Sequence, residues 1–148
     1  MVRREITLEP RPKGFHDVTG EVVSSLPEIG SYRTGLAHLM IMHTSASLAV
    51  TENASPDVLR DLEDWFSDSV PEARDWAHSL EGPDDMPAHV RSVLTQVDLT
   101  LPIGDGRLEL GTWQGVFLCE HRDHGGSRRL VATLWGDRDG DDDGPGDH

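Results

Sequence analysis

Apolar positions recur along this chain at two spacings. From Arg3 to Glu9 they alternate with polar ones, placing Ile6 and Leu8 on one face, which predicts a half-buried strand. Val18, Val22 and Leu26 fall four apart and predict a short helix over 17–26, ended by Pro27 and Gly30. Residues 35–43 form an apolar run of strand length. Residues 47–51 predict a second strand beyond the hydroxyl-rich corner HTSAS. The clearest helix follows, with Ser55 at the N-cap, Pro56 at the first helical position and Asp57 in the first turn. Val58, Leu62, Trp65 and Phe66 make its apolar face. Residues 71–85 are polar and broken by Gly82 and Pro83, so they predict a loop. Residues 86–94 predict a helix carrying Val90, Val93 and Leu94. Four strand-like segments end the pattern, at 97–103, 107–110, 116–122 and 128–135, separated by the turns GDG, GTWQG and DHGGS.

Strands flanking two to three helices without βαβ alternation predict a single α+β domain with a mixed, largely antiparallel sheet. The length, 148 residues, holds one such domain and not two. That domain is expected over 1–136. Residues 137–148 are Asp and Gly without an apolar anchor, and are expected to be a disordered acidic tail. So many strand edges in a small domain also favour oligomerisation.

Charge narrows the function. Twenty-seven acidic residues against 13 basic ones give −14, a field that repels nucleic-acid backbones and anionic lipid, so neither is an expected partner. Lys13 is the single lysine; high salt and a GC-rich genome account for that equally well. One cysteine, Cys119, excludes an internal disulfide. No signal-peptide pattern opens the chain and no apolar run could span a bilayer, so the expected location is the cytoplasm.

Eight histidines remain to be sorted. His16, His38 and His148 stand apart from other reactive residues. His43, His78, His89, His121 and His124 fall at element ends or in polar loops, where sites are built. None forms an H-x-x-x-H pair. The HTSAS corner could aim backbone N–H groups at an anion or form a plain hydroxyl turn. Arg128 and Arg129 suit a phosphate or an acidic surface equally. Trp113 and Gln114 could wall a ring or simply pack. No nucleophile elbow, phosphate loop, dinucleotide fingerprint or CxxC occurs. Residue chemistry alone reaches a small acidic α+β domain with a candidate His/carboxylate metal site.

Four stretches in order, HTSASLAVTENASPDVLRDLEDWF, EGPDDMPAHVRSVL, LPIGDGRLELGTWQGVFLCEHRDHGGSRRL and VATLWGD, resemble the YjbQ-like family, also called secondary thiamine-phosphate synthases. The resemblance runs from about Ile6 to Gly136. It implies a small α+β protein assembling as a homotrimer with pockets where chains meet. The implied activity joins hydroxymethylpyrimidine diphosphate to thiazole phosphate, giving thiamine phosphate and pyrophosphate; "secondary" in the family name implies a side activity of a protein with another main role.

That chemistry asks for a divalent metal and for donors to a small phosphorylated substrate. The matching positions are Thr44, Ser45, Asn53, Asp85, Gln114, Arg122 and Arg128 for substrate, with Asp57 and Glu120 as acid/base groups. His43, His78 and His89 are the expected metal ligands if they converge. Magnesium would suit the transferase; three imidazoles suit zinc. Three readings stay open: the thiamine-phosphate transferase, a metal-dependent hydrolase of a small phosphorylated or heterocyclic compound, and a non-catalytic trimeric binder.

Overall fold

The computed structural model describes residues 1–140; residues 141–148, most of the expected tail, lie outside the described residues. In chain order the elements are β1 (Val2–Leu8), β2 (Gly14–Asp17), α1 (Thr19–Ser25), a 3-10 turn (Pro27–Ser31), β3 (Tyr32–Ile41), β4 (Ala46–Glu52) and α2 (Pro56–Ser69). Then come α3 (Asp85–Leu94), β5 (Asp98–Gly104), β6 (Arg107–Leu108), β7 (Gln114–Glu120) and β8 (Arg128–Arg138). The fold class is α+β, as expected, with three α-helices and antiparallel strand pairs throughout among the described residues.

The strands form two sheets, one ordered β1-β8-β3-β5-β6 and one ordered β2-β7-β4. The alternation read from the sequence explains the first. Ala37, Leu39 and Ile41 of β3, Leu99, Leu101 and Ile103 of β5, and Leu130, Ala132 and Leu134 of β8 all point inward. They pack on Leu48, Val116 and Leu118 of the three-stranded sheet and on Val18, Val22 and Leu26 around α1. Each large aliphatic side chain so buried is worth about 1.5–3 kcal/mol.

A second, smaller cluster covers the other face of the three-stranded sheet. Phe15, Phe117 and Cys119 meet Phe66 of α2 and Val70 just past its end there, with Trp76 from the following loop. Strand β7 is therefore buried on both faces, and its run of apolar residues reflects that. The short strand β2 was not legible in the sequence, because Phe15 is the only apolar residue that marks it.

Strand β8 runs past the expected end at 135. Asp137 and Arg138 pair with Thr34 and Tyr32 across a bulge in β3, so the first residues of the expected tail belong to the sheet. Segment 107–110 contributes only two residues of strand. Among the described residues no helix is long and apolar enough to cross a membrane.

Candidate functional site

Helix α3 sets the geometry. Asp85 is its first residue and His89 lies one turn on, so the i, i+4 spacing stacks carboxylate and imidazole on one face. The loop over 71–84 returns His78 to the same place. His78 Nε2 is 2.7 Å from Asp85 Oδ2, and His89 Nε2 is 3.1 Å from the same oxygen. The two rings lie 5.5 Å apart between centroids. Asp85 is almost wholly buried, whereas the His78 side chain is half exposed, which leaves the group open to solvent on one side.

One bond fixes a tautomer. His89 Nδ1 sits 2.8 Å from the Thr44 carbonyl, which can only accept, so Nδ1 carries the proton. In neutral His89 the opposite nitrogen, Nε2, then presents a bare lone pair to a carboxylate oxygen. The arrangement asks for a cation between them, either a proton on Nε2 or a metal ion. Asp85 is suited to supply the charge: burial pushes its carboxyl upward, but the His78 hydrogen bond, the neighbouring charges of His89 and Arg122 and the His89 bond outweigh it and hold it below the usual range.

Arg122 closes the inner side of the group. Its Nη1 is 3.4 Å from Asp85 Oδ1, Nη2 donates to the Glu81 carbonyl at 2.7 Å, and the fork also spans Asp84 at 3.4–3.5 Å. Asp84 in turn accepts the Asp123 amide at 2.9 Å. For Asp84 too, burial is overcome, here by that amide and by Arg122, and the carboxyl stays low. The Asp84 hydrogen bond conversely raises the Arg122 guanidinium, against the effect of burial.

The other expected site residues are placed differently. His43 does not join the group: its Nε2 accepts the Arg129 amide at 2.9 Å, and burial, with Arg128 and Arg129 nearby, lowers its pKa against the pull of Glu120. Three donors do converge, but the third is Asp85, expected beforehand to touch substrate. Glu120 and Arg128 hold each other through two bonds, at 2.8 and 2.6 Å, with almost no exposure. Arg128 also reaches the Ser45 carbonyl and hydroxyl, at 3.2 and 3.1 Å. Glu120 is thus committed as an ion-pair partner, and Arg128 and Ser45 shape the corner that carries Thr44. A Cβ on Gly125 would lie 2.2 Å from Glu120 Oε1, so only glycine lets the DHGG turn pass over this pair.

Asp57 stands 73% exposed on α2 and pairs with Arg60. Gln114 accepts the Gly111 amide at 2.7 Å and Asn53 donates to the Gln114 carbonyl at 3.2 Å, so both close a turn. Trp113 is largely exposed.

A buried polar chain lies between these regions. His121 Nε2 contacts Ser47 Oγ at 2.8 Å, Ser47 contacts Thr95 Oγ1 at 2.6 Å, and Thr95 donates to the Arg91 carbonyl at 2.7 Å. Thr95 has one hydroxyl proton and the carbonyl must receive it, so Ser47 donates to Thr95 and His121 Nε2–H donates to Ser47. Burial, reinforced by Arg91, Arg128 and Lys13, drives His121 down to about 3. His121, expected among the histidines of a site, is instead buried and bonded to Ser47. The Cys119 thiol beside this chain is pushed up to about 12 by burial, against a hydrogen bond to Ser47, and is no nucleophile.

The donor set His78 Nε2, Asp85 Oδ2, His89 Nε2 lies within 4.8 Å of itself throughout and is the group among the described residues spaced to hold a metal ion. Two imidazoles and a carboxylate suit zinc or a neighbouring first-row ion, with positions left for water or substrate. A cavity of about 360 Å³ adjoins His78, lined by Trp76, Arg74 and Ser79 and by the carboxylates of Glu72 and Asp75. A larger cleft of about 580 Å³ beside Trp135 and Pro102 carries no histidine.

Comparison with known proteins places the chain in a family. Residues 4–137 match the family described as UPF0047 protein YjbQ-like. The UPF0047 protein YjbQ of Salmonella typhimurium is 48% identical over 135 residues, 91% of this chain and 98% of that one. UPF0047 protein sll1880 of Synechocystis is 44% identical over 89% of this chain and 90% of its own. Among solved structures, the conserved hypothetical protein TT1486 of Thermus thermophilus has a TM-score of 0.76 at 37% identity, covering 91% of this chain and all of that one. An uncharacterised YjbQ/UPF0047 protein of Clostridium acetobutylicum has a TM-score of 0.79 at 31% identity, covering 89% and 99%.

Proposed function

The chain belongs to the UPF0047 YjbQ-like family, and within it we propose a metal-dependent enzyme acting on a small phosphorylated or heterocyclic compound at His78, Asp85 and His89. The observation that carries this is the fixed tautomer of His89, whose bare Nε2 faces Asp85 Oδ2 at 3.1 Å with His78 Nε2 on the same oxygen. A divalent ion such as zinc would satisfy all three donors and would lower the pKa of a bound water toward neutrality, which favours hydrolysis. His78 and His89 would bind as neutral imidazoles, Asp85 would balance charge, and the Thr44 carbonyl would hold the His89 ring in plane. The cavity beside His78 offers an indole with the Arg74 guanidinium stacked on it and a hydroxyl, but also the carboxylates of Glu72 and Asp75, a lining that favours a heterocyclic group over a phosphate. Metal content of tag-free protein purified without chelator tests the reading: about one divalent ion per chain supports it, and none overturns it.

The thiamine-phosphate transferase is the second reading, resting on the motif resemblance and on Arg122 and Thr44 standing at the group. It draws less support from Glu120 and Arg128, which are committed to each other. Growth of a thiamine auxotroph carrying this chain separates the two.

We further propose that the chain works as a homotrimer in the cytoplasm. Met40, Met42, Val93, Leu94 and Val97 are exposed where β3 ends and α3 leads into β5, with Trp135 further along the same sheet. That apolar surface needs a cover. Sedimentation at micromolar concentration should give three chains; a monomer refutes the assembly.

A further inference from the structure

Asp85 has two carboxylate oxygens, and the site uses them unequally. Oδ2 alone faces both imidazoles, at 2.7 and 3.1 Å. Oδ1 is turned to Arg122, 3.4 Å from Nη1. Resting on the metal-site reading above, we propose that Arg122 determines metal selectivity by keeping Asp85 a one-oxygen ligand.

The guanidinium is not free to leave. Its Nη2 donates to the Glu81 carbonyl at 2.7 Å and lies 3.4 Å from Asp84 Oδ1, while Nε lies 3.5 Å from Asp84 Oδ2. Asp84 is itself held by the Asp123 amide at 2.9 Å. Gly82, at φ +104°, lets the loop close on this cluster: a Cβ there would stand 3.3 Å from Asp84 Oδ1 in a backbone conformation that side chains rarely adopt. A five-donor planar fork suits this spread of acceptors, and a lysine could not span it.

The consequence is a low ligand count. Two imidazole nitrogens and one oxygen leave a zinc or cobalt ion four-coordinate with a single added water. Manganese and magnesium favour more oxygen ligands, and here the second Asp85 oxygen is denied to them. Removing the fork would free Oδ1 to close on the ion and raise its coordination number.

The experiment is titration of zinc, cobalt and manganese into metal-free full-length protein, for the wild type, Arg122→Gln and Arg122→Lys. The wild type should give the intense visible absorption of four-coordinate cobalt. Both variants should give weaker bands of higher coordination, and their preference for zinc over manganese should fall by about tenfold or more, the scale of changes in groups that orient ligands. Lysine keeps the charge and lacks the fork, so a wild-type spectrum and wild-type preference in Arg122→Lys would overturn the proposal. So would an equal rise in affinity for all three metals in Arg122→Gln with the cobalt spectrum unchanged, because Arg122 would then act by charge alone. Should Arg122→Gln fail to fold, Arg122→Lys carries the same test. A wild type that binds none of the three ions refutes the metal site itself, before any Arg122 variant is compared.

Discussion

His89 Nδ1 donates to the Thr44 carbonyl at 2.8 Å, and that bond determines what the opposite nitrogen offers to Asp85. Replacing His89 with Ala removes both the donor to Thr44 and the bare Nε2. His89 is partly exposed, so the fold should survive with a loss of about 1 kcal/mol or less. Bound divalent metal should fall by at least tenfold, the outcome to be read by dialysis and elemental analysis. Retained metal together with a collapsed fold would make His89 structural.

The Glu120–Arg128 pair behaves in the opposite way, with stability at stake. Both side chains are almost fully buried and bonded twice. Arg128→Ala would strand a buried carboxylate and should cost about 3–5 kcal/mol, whereas replacing both residues with apolar ones of similar size should cost much less. Chemical denaturation of the single and double variants measures this. Equal losses in the two would mean that the pair is not the unit that matters.

Most strands and helices are legible because one face is buried, so Ile6 with Leu8 and Val18 with Val22 write their periods into the sequence, and β7, buried on both faces, reads as a continuous apolar run. Strand β2 is not, because four residues with a single apolar one carry no period. At the site, His78 and His89 are legible as loop and helix-end histidines. Asp85 as their common partner is not, because the pair that stacks on α3 is D-x-x-x-H, a spacing that an ordinary solvated helix face shows as often as a site does. His43 was misassigned for a reason no sequence discloses: its ring turns toward the Arg129 amide across the strand ends. The committed state of Glu120 and Arg128 is also a property of the third dimension, since they stand eight positions apart across a glycine turn.

Asp57 provides a control. Its side chain is 73% exposed and pairs with Arg60, three residues on. A surface pair of this kind is worth about 0–1 kcal/mol, and a carboxylate in the first helical turn about the same. Asp57→Asn should therefore lower stability by about 1 kcal/mol at most and leave metal content unchanged. Loss of metal in this variant would place Asp57 at the site after all and contradict the geometry.

His121 predicts how stability depends on pH. Its imidazole sits at about 3 in the folded protein, driven there mainly by burial, against 6.5 for an unperturbed histidine. Between those values the unfolded chain binds a proton that the folded one refuses, so stability rises with pH through that window. The contribution is complete above about 6.5 and is lost progressively as pH falls toward 3. Asp84 and Asp85, both held below 3.8, add their own losses only at the acid end. His121→Gln keeps a donor for Ser47 and removes the titrating group. Melting temperatures from pH 7 to 4 should fall more steeply for the wild type than for His121→Gln, the two curves drawing together as pH drops. Parallel curves would mean that some other group governs acid unfolding and that His121 is protonated without cost.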